Sequence, residues 1–243
     1  EIKAKVTVYS MEENLAENYA EKFKIETIKE DNSIKVIRSE MNFPEEIKGV
    51  KIDYFIKAPE SIIPELSNQF GKLEVRNFIT GVELSNRYKE TIVENISGDK
   101  IVVNAKYGNL IIQDISKGNE MRVTTAYNEC IIKNISRSLK LDGSYGKIVV
   151  DNIDGKVDSK LRYGEGDFEN INELKLDSRY TKIKIDEING EIDANMDYGQ
   201  IMVDKVKYDT DIKGRYTEID LYLDQDLSNF EFEAKTKYGD IDS

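Results

Sequence analysis

Ten aromatic residues mark out most of this sequence at near-regular intervals: Phe70, Tyr88, Tyr107, Tyr127, Tyr145, Tyr163, Tyr180, Tyr198, Tyr216 and Tyr238. A tyrosine column could serve as an exposed strip that stacks on sugar rings, or as an internal ladder that stabilises sheets. Basic residues stand just before six of the anchors: Arg87, Lys106, Arg162, Arg179, Arg215 and Lys237. Such a column could hold an anionic glycan, although Ala126, Ser144 and Asp197 interrupt it. Its expected role is charge balance on an acidic surface. Carboxylates cluster at Asp220, Asp224 and Asp226 and at Glu165, Asp167 and Glu169. A carboxylate pair runs glycoside hydrolysis only when a cleft holds it at a defined separation. No insertion long enough to wall a cleft interrupts the repeat, and no enzyme activity is expected. The chain has no histidine, hence neither the commonest general base nor the commonest zinc ligand. The calcium-roll nonapeptide is missing too. Neither catalytic residues nor a cofactor or metal site is expected.

The repeat itself dictates the elements that carry these residues. The anchors lie 17 to 20 residues apart, with one step of 22 at the end. Counting the aromatic as zero, position +3 is mostly aliphatic (Leu73, Leu110, Ile148, Ile183, Ile201), as is +5 (Val75, Ile112, Ile132, Val150, Ile185). Position +8 is Phe78, Ile96, Ile115, Ile135, Ile153, Ile171, Ile188 and Val206, and positions −6 and −4 are mostly apolar. Alternation with period two means strands with one buried face. A unit of about 18 residues cannot bury that face alone, but stacked copies form one continuous core. The fold expected is all-β: a single-stranded parallel β-solenoid of about ten rungs. Right-handed coiling is favoured because parallel crossovers are right-handed.

The corners are legible as well. Glycine recurs at +1 (Gly71, Gly108, Gly146, Gly164, Gly199), where it would permit a bend. Position +7 holds Asn77, Asn95, Asp114, Asn134, Asn152 and Asn170. Asparagine tolerates left-handed corners and can hydrogen-bond from copy to copy. A second glycine follows at +10 or +11. Extending the parity of −6, −4 and −2 puts the aromatics on the inner face, and small residues at −2 (Ala105, Thr125, Gly143, Ser178, Gly214) would leave them room. The structural ladder expected is therefore an internal one of Tyr88 through Tyr238, with an asparagine ladder at Asn77, Asn95, Asn134, Asn152 and Asn170. Cys130 replaces the aliphatic residue at +3 and should behave as a small buried hydrophobe.

All three prolines, Pro44, Pro59 and Pro64, and only one of the 15 glycines precede residue 70. This shift divides the chain into residues 1–66 and the array at 67–243. The first segment reads as a strand over 3–9, a helix over 14–23 and further strands over 23–28, 33–37 and 50–56. It is expected to be continuous with the array and to cap one end of it. The array's other end, at Ser243, would leave an unpaired edge. Edge-to-edge pairing of copies is the corresponding expectation.

The chain carries a net charge of −12, which disfavours phosphate backbones, so no nucleic-acid partner is expected. No run approaches the eighteen or so apolar residues of a membrane span. One cysteine allows no internal disulfide, so the redox compartment stays open.

The Tyr-Gly-x-Ile-x-Ile-x-Asn-Ile rungs, as in Tyr145-Gly146-Lys147-Ile148-Val149-Val150-Asp151-Asn152-Ile153, resemble the bacterial adhesin-type β-solenoids. That group has no assigned molecular function and lies close to the head-GIN auto-transporter adhesin domains. The lead-in Lys51 to Pro59 is similar to the extended, proline-terminated segment that precedes its first rung. The resemblance implies a cell-envelope or secreted location and a surface or adhesive role, with a surface glycan or envelope protein as partner. It carries no catalytic residues.

Overall fold

The computed structural model describes residues 2–22, 24–30, 33–38, 44–59, 62–206, 208–223, 232–237 and 241–242. The chain divides into two compact units, Glu1–Pro59 and Glu60–Ser243.

In the first unit, β1 (Ile2–Ser10) pairs antiparallel with β4 (Ile47–Ile56). The ladder runs from Ile2 opposite Ile56 to Tyr9 opposite Gly49, then shifts register at Tyr9/Ser10. Between these strands lies α1 (Glu13–Lys22), followed by the hairpin of β2 (Ile25–Glu30) and β3 (Ser33–Arg38). The Ser10 hydroxyl accepts the Glu12 amide at 3.1 Å just before α1. Glu13 in the first turn and Lys22 in the last suit the helix dipole. The strand–helix–strand order follows the sequence reading. Asp31 and Asn32, between β2 and β3 in the sequence, lie outside the described residues.

The second unit is a parallel β-solenoid of about nine turns. Its first rung contributes β5 (Glu65–Asn68) and β6 (Leu73–Arg76), its second β7 (Gly81–Arg87) and β8 (Thr91–Ser97). Next come β9 (Lys100–Lys106), β10 (Leu110–Ser116), β11 (Glu120–Ala126), β12 (Glu129–Ile135) and β13 (Ser138–Ser144). From there β14 (Lys147–Ile188), β15 (Ile192–Val206) and β16 (Thr210–Leu223) each run on around the corners, and β17 (Phe232–Lys237) and β18 (Ile241–Asp242) pair with β16.

Odd strands β5 to β13 stack on one another, and even strands β6 to β12 do the same. Register is kept by like on like: Leu110 opposite Cys130, Ile112 opposite Ile132, and Ile132 opposite Val150. Each rung thus has two parallel sheet faces whose inward residues meet in one core. Phe168 shows how that core keeps its volume constant. It is fully buried, and the neighbouring +3 position is Gly166, where a Cβ would lie 3.0 Å from the Phe168 ring. Cys130 is buried, and desolvation pushes its thiol up to about 12, with its hydrogen-bonding contact to Thr125 as a smaller, opposing effect. It is a core group and no nucleophile.

The corners differ from the expectation in one respect. Every described anchor tyrosine has left-handed backbone, with φ from 54° at Tyr145 to 68° at Tyr88. The bend is therefore on the tyrosine and not on the glycine after it. Gly146 has a different purpose: a Cβ there would stand 2.0 Å from the Asn128 carbonyl oxygen of the preceding rung. The second corner is also left-handed at Asn77, Asn95, Asp114, Asn134, Asn152 and Asn170, and Glu187 and Lys205 adopt it in later rungs.

Hydrogen bonds link this second corner across rungs. Asn95 donates to Asn77 at 2.6 Å, Asn134 to Asp114 at 2.9 Å, and Asn152 to Asn134 at 2.9 Å. Asn170 reaches instead to Asp151 at 3.1 Å. Asn134→Ala removes one donated and one accepted bond and leaves a Cβ residue in left-handed backbone. It should cost about 1–2 kcal/mol, against less than ~0.5 kcal/mol for the outward Lys140→Ala. Thermal melting of the two variants decides the point. Equal midpoints would reject a stabilising corner ladder.

Candidate functional site

Two left-handed corners per rung explain where the tyrosines go. A strand alternates its side chains only while its backbone stays extended. At the anchor the chain turns left-handed, so the parity that buries −6, −4 and −2 does not carry through to position zero. The anchor side chains point out of the core. Tyr127 is 49% exposed, Tyr145 46% and Tyr180 42%, and the remaining described anchor tyrosines are exposed or half-buried. The internal ladder expected for Tyr88, Tyr107, Tyr127, Tyr145, Tyr163, Tyr180, Tyr198 and Tyr216 is thus an external one. Tyr238 lies outside the described residues. The small −2 residues are buried beneath the corner, where Gly143 faces Ile148: a Cβ on it would come 2.2 Å from the Ile148 Cδ1.

From Phe70 to Tyr216 the nine rings form one unbroken stack. Successive centroids are 4.7 Å (Tyr127–Tyr145) to 5.2 Å (Phe70–Tyr88) apart, and neighbouring planes differ by 2° to 13°. Eight steps at the ~4.8 Å strand spacing make a row roughly 40 Å long. The main chain fixes each ring to the next. The Tyr88 amide donates to the Lys106 carbonyl at 2.9 Å, Tyr107 to Ala126 at 3.0 Å, and Tyr145 to Arg162 at 2.9 Å. Two amide side chains, the buried Asn86 and the half-buried Asn128, brace the corner. Asn86 donates to the Lys89 carbonyl at 3.1 Å, and Asn128 donates to the Gly108 carbonyl at 3.0 Å while accepting from Thr125 at 2.7 Å.

Stacking closes the ring faces along the row. What remains open is ring edge and phenol hydroxyl, so inner members of the row cannot stack flat on sugar rings. The hydroxyls of Tyr88, Tyr107, Tyr127, Tyr145, Tyr163 and Tyr180 have no hydrogen-bond partner among the described residues. Arg87, Arg162 and Arg179 are exposed and Lys106 half-buried beside the row. Arg179 lies over the Tyr180 ring, 5.4 Å from its centroid. Arg215 is already engaged, with its Nε 3.0 Å and its Nη2 2.7 Å from the Asp197 carboxylate, which holds the guanidinium above its ordinary range. Lys237 lies in β17, where only backbone is described.

The carboxylates are arranged differently. Glu165 and Glu169 are exposed, and Asp167 lies 3.1 Å from the Lys147 ammonium, which that hydrogen bond holds above its usual range. Asp220 accepts from Gln200 at 3.1 Å, while Asp224 and Asp226 lie outside the described residues. Among the described residues no group of three or more acids or cysteines is placed to hold a metal, and no helix is long and apolar enough to cross a membrane. A shallow depression beside the row, lined by Ser144, Gly146, Arg162 and Gly164, is too small for anything beyond a single water.

One residue that periodicity does not single out holds three rungs together. Arg137 is buried, and its guanidinium donates to the carbonyls of Gly98 at 2.6 Å, Asp99 at 2.9 Å and Glu120 at 2.5 Å. Burial lowers its pKa from the usual arginine value.

No curated protein and no solved structure matches the chain. The Toastrack DUF4097 family model matches residues 62–243. Because that match covers the solenoid from its first strand onward, the chain belongs to the Toastrack DUF4097 family, a β-solenoid family of unknown function.

Proposed function

We propose that the chain is a non-enzymatic scaffold of the cell envelope or the secreted fraction, which presents a regular surface for adhesion or assembly. The observation that carries this reading is the exposed tyrosine row, held in one register from rung to rung. Eight described bulky residues occupy left-handed backbone, at roughly 1–2 kcal/mol apiece. Stacking returns about 0.5–1.5 kcal/mol per pair. The row thus contributes little net stability, while keeping nine rings in line on the outside. The acids singled out in the sequence support a structural reading over a catalytic one, because Asp167 and Asp220 are engaged with Lys147 and Gln200. The extracytoplasmic location rests on the resemblance to adhesin-type solenoids.

Fractionation of the source cells, combined with protease treatment of intact cells, tests this reading. The protein should be recovered from the envelope or the medium and be cleaved without lysis. Recovery only in the cytosol would overturn the location. Release of new reducing ends from a polysaccharide by the purified protein would overturn the non-enzymatic role.

A further inference from the structure

The Asn corner and the Tyr corner of each rung have the same backbone requirement, yet they are filled by opposite kinds of residue. Asparagine suits left-handed backbone and tyrosine does not. If the tyrosine corner needed only a stack, phenylalanine would provide it, and phenylalanine does so at Phe70. The following eight described anchors all carry a hydroxyl instead. The hydroxyls from Tyr88 to Tyr180 donate to nothing and accept from nothing among the described residues. The result is a line of free hydroxyls repeating at the strand spacing.

Beside that line the charge is patterned. Arg87 and Lys106 flank its first part, and Arg162 and Arg179 its middle, with no carboxylate ion pair on any of the four among the described residues. Some of the solenoid's other cations are engaged, as Lys72 is with Glu90 at 3.0 Å, Arg76 with Glu94 at 2.6 Å, and Lys100 with Glu83. The chain as a whole is acidic, and Glu129 and Glu165 are exposed two residues past their tyrosines, but the column immediately before the tyrosines carries four cations and no carboxylate from Arg87 to Arg179, within the ~8 Å over which a bound polymer senses charge at physiological salt.

We propose that the tyrosine row binds an extended acidic polysaccharide of diequatorially 1,4-linked uronic acid units, laid along the solenoid axis. In such a chain the advance per sugar is close to the ~4.8 Å strand spacing, so successive sugars meet successive hydroxyls. The sugar hydroxyls bond to the tyrosine hydroxyls, and the carboxylates bond to the flanking guanidinium and ammonium groups. Each contact is weak, and affinity grows with the number of rungs spanned. This inference rests on the scaffold reading and names the surface's ligand.

The test is titration calorimetry of the full chain with two probes of the same linkage: oligo-β-1,4-mannuronate, with a carboxylate on every sugar, and neutral cello-oligosaccharide. The mannuronate should bind, more tightly as it lengthens from four to eight sugars, and the neutral oligomer at least about tenfold more weakly. The triple variant Tyr127→Phe, Tyr145→Phe and Tyr163→Phe keeps the stack. It should melt at the wild-type temperature and lose roughly tenfold or more in mannuronate affinity. The double variant Arg162→Gln and Arg179→Gln should lose a similar factor and flatten the salt dependence. No mannuronate binding, equal binding of the two probes, or wild-type affinity in the triple variant would each overturn the proposal. A protein that fails to bind but is still found at the cell surface would retain the scaffold reading. One found only in the cytosol would lose that reading whatever it binds.

Discussion

Arg137→Ala should lower the unfolding free energy by about 3–5 kcal/mol, among the largest losses expected from any one side chain in the protein. The guanidinium is buried and satisfies the carbonyls of Gly98, Asp99 and Glu120, two of them about two rungs away in sequence. Its removal leaves buried acceptors without partners, and a small apolar replacement cannot admit enough water to rehydrate them freely. Arg137→Met separates packing from hydrogen bonding. It keeps much of the stem but none of the donors, and should be nearly as damaging as alanine. Arg137→Lys restores one charged donor in place of the fork and should recover only part of the loss. Denaturant melts of the three variants provide the comparison. A methionine variant as stable as wild type would show that the clamp acts through its stem alone.

Ile132→Ala should cost about 2–5 kcal/mol. Ile132 is fully buried, with Ile112 in register on one side and Val150 on the other. A cavity there removes contacts from two neighbouring rungs at once, and sheet hydrogen bonds on both sides limit how far either rung can collapse into it. In a stacked array stability is close to a sum of rung and interface contributions, so a lesion in the middle also weakens the coupling between its two halves. Ile132→Asp should therefore do more than lower the midpoint: it should broaden or split the melting transition. The outward Lys140→Ala serves as the reference and should stay within ~0.5 kcal/mol of wild type. A single sharp transition for Ile132→Asp, at an unchanged midpoint, would contradict a continuous core through this rung.

The solenoid was legible because its core must repeat. The aliphatic columns at +3, +5 and +8 can only be inward on a strand, and the structure buries Ile112, Ile115, Ile132 and Ile135 together. The tyrosines point outward, against their parity, because alternation does not run across a left-handed corner. A warning was nonetheless present in the spacing. From +5 to +8 the buried columns step by three, and from −2 to +3 they step by five, where an uninterrupted strand would step by two. Each odd step marks a residue that leaves extended geometry, and those residues are the asparagine and the tyrosine. The first such corner was readable because asparagine advertises it; tyrosine does not.

Arg137 illustrates a different limit. It occupies the place where other units carry their second glycine, such as Gly98 and Gly155. The break in that glycine column is visible in the sequence, but not its consequence. A Cβ on Gly118 would stand 2.7 Å from the Arg137 Nη2, so the arginine fits only because its neighbour across the rung is glycine. Such compensation between rungs belongs to the stacked state and to no single repeat. The row of free hydroxyls from Tyr88 to Tyr180 is hidden for the same reason: it exists only once six separate corners lie in line.

The outward tyrosine row is the claim on which the rest depends, and residue-resolved tyrosine nitration of the native protein tests it directly. Mass spectrometry should find Tyr107, Tyr127, Tyr145 and Tyr163 modified at their open ring edges in the folded state, while Cys130 resists thiol reagents until denaturant is added. Protection of these tyrosines until the protein unfolds would place them inside and contradict the account.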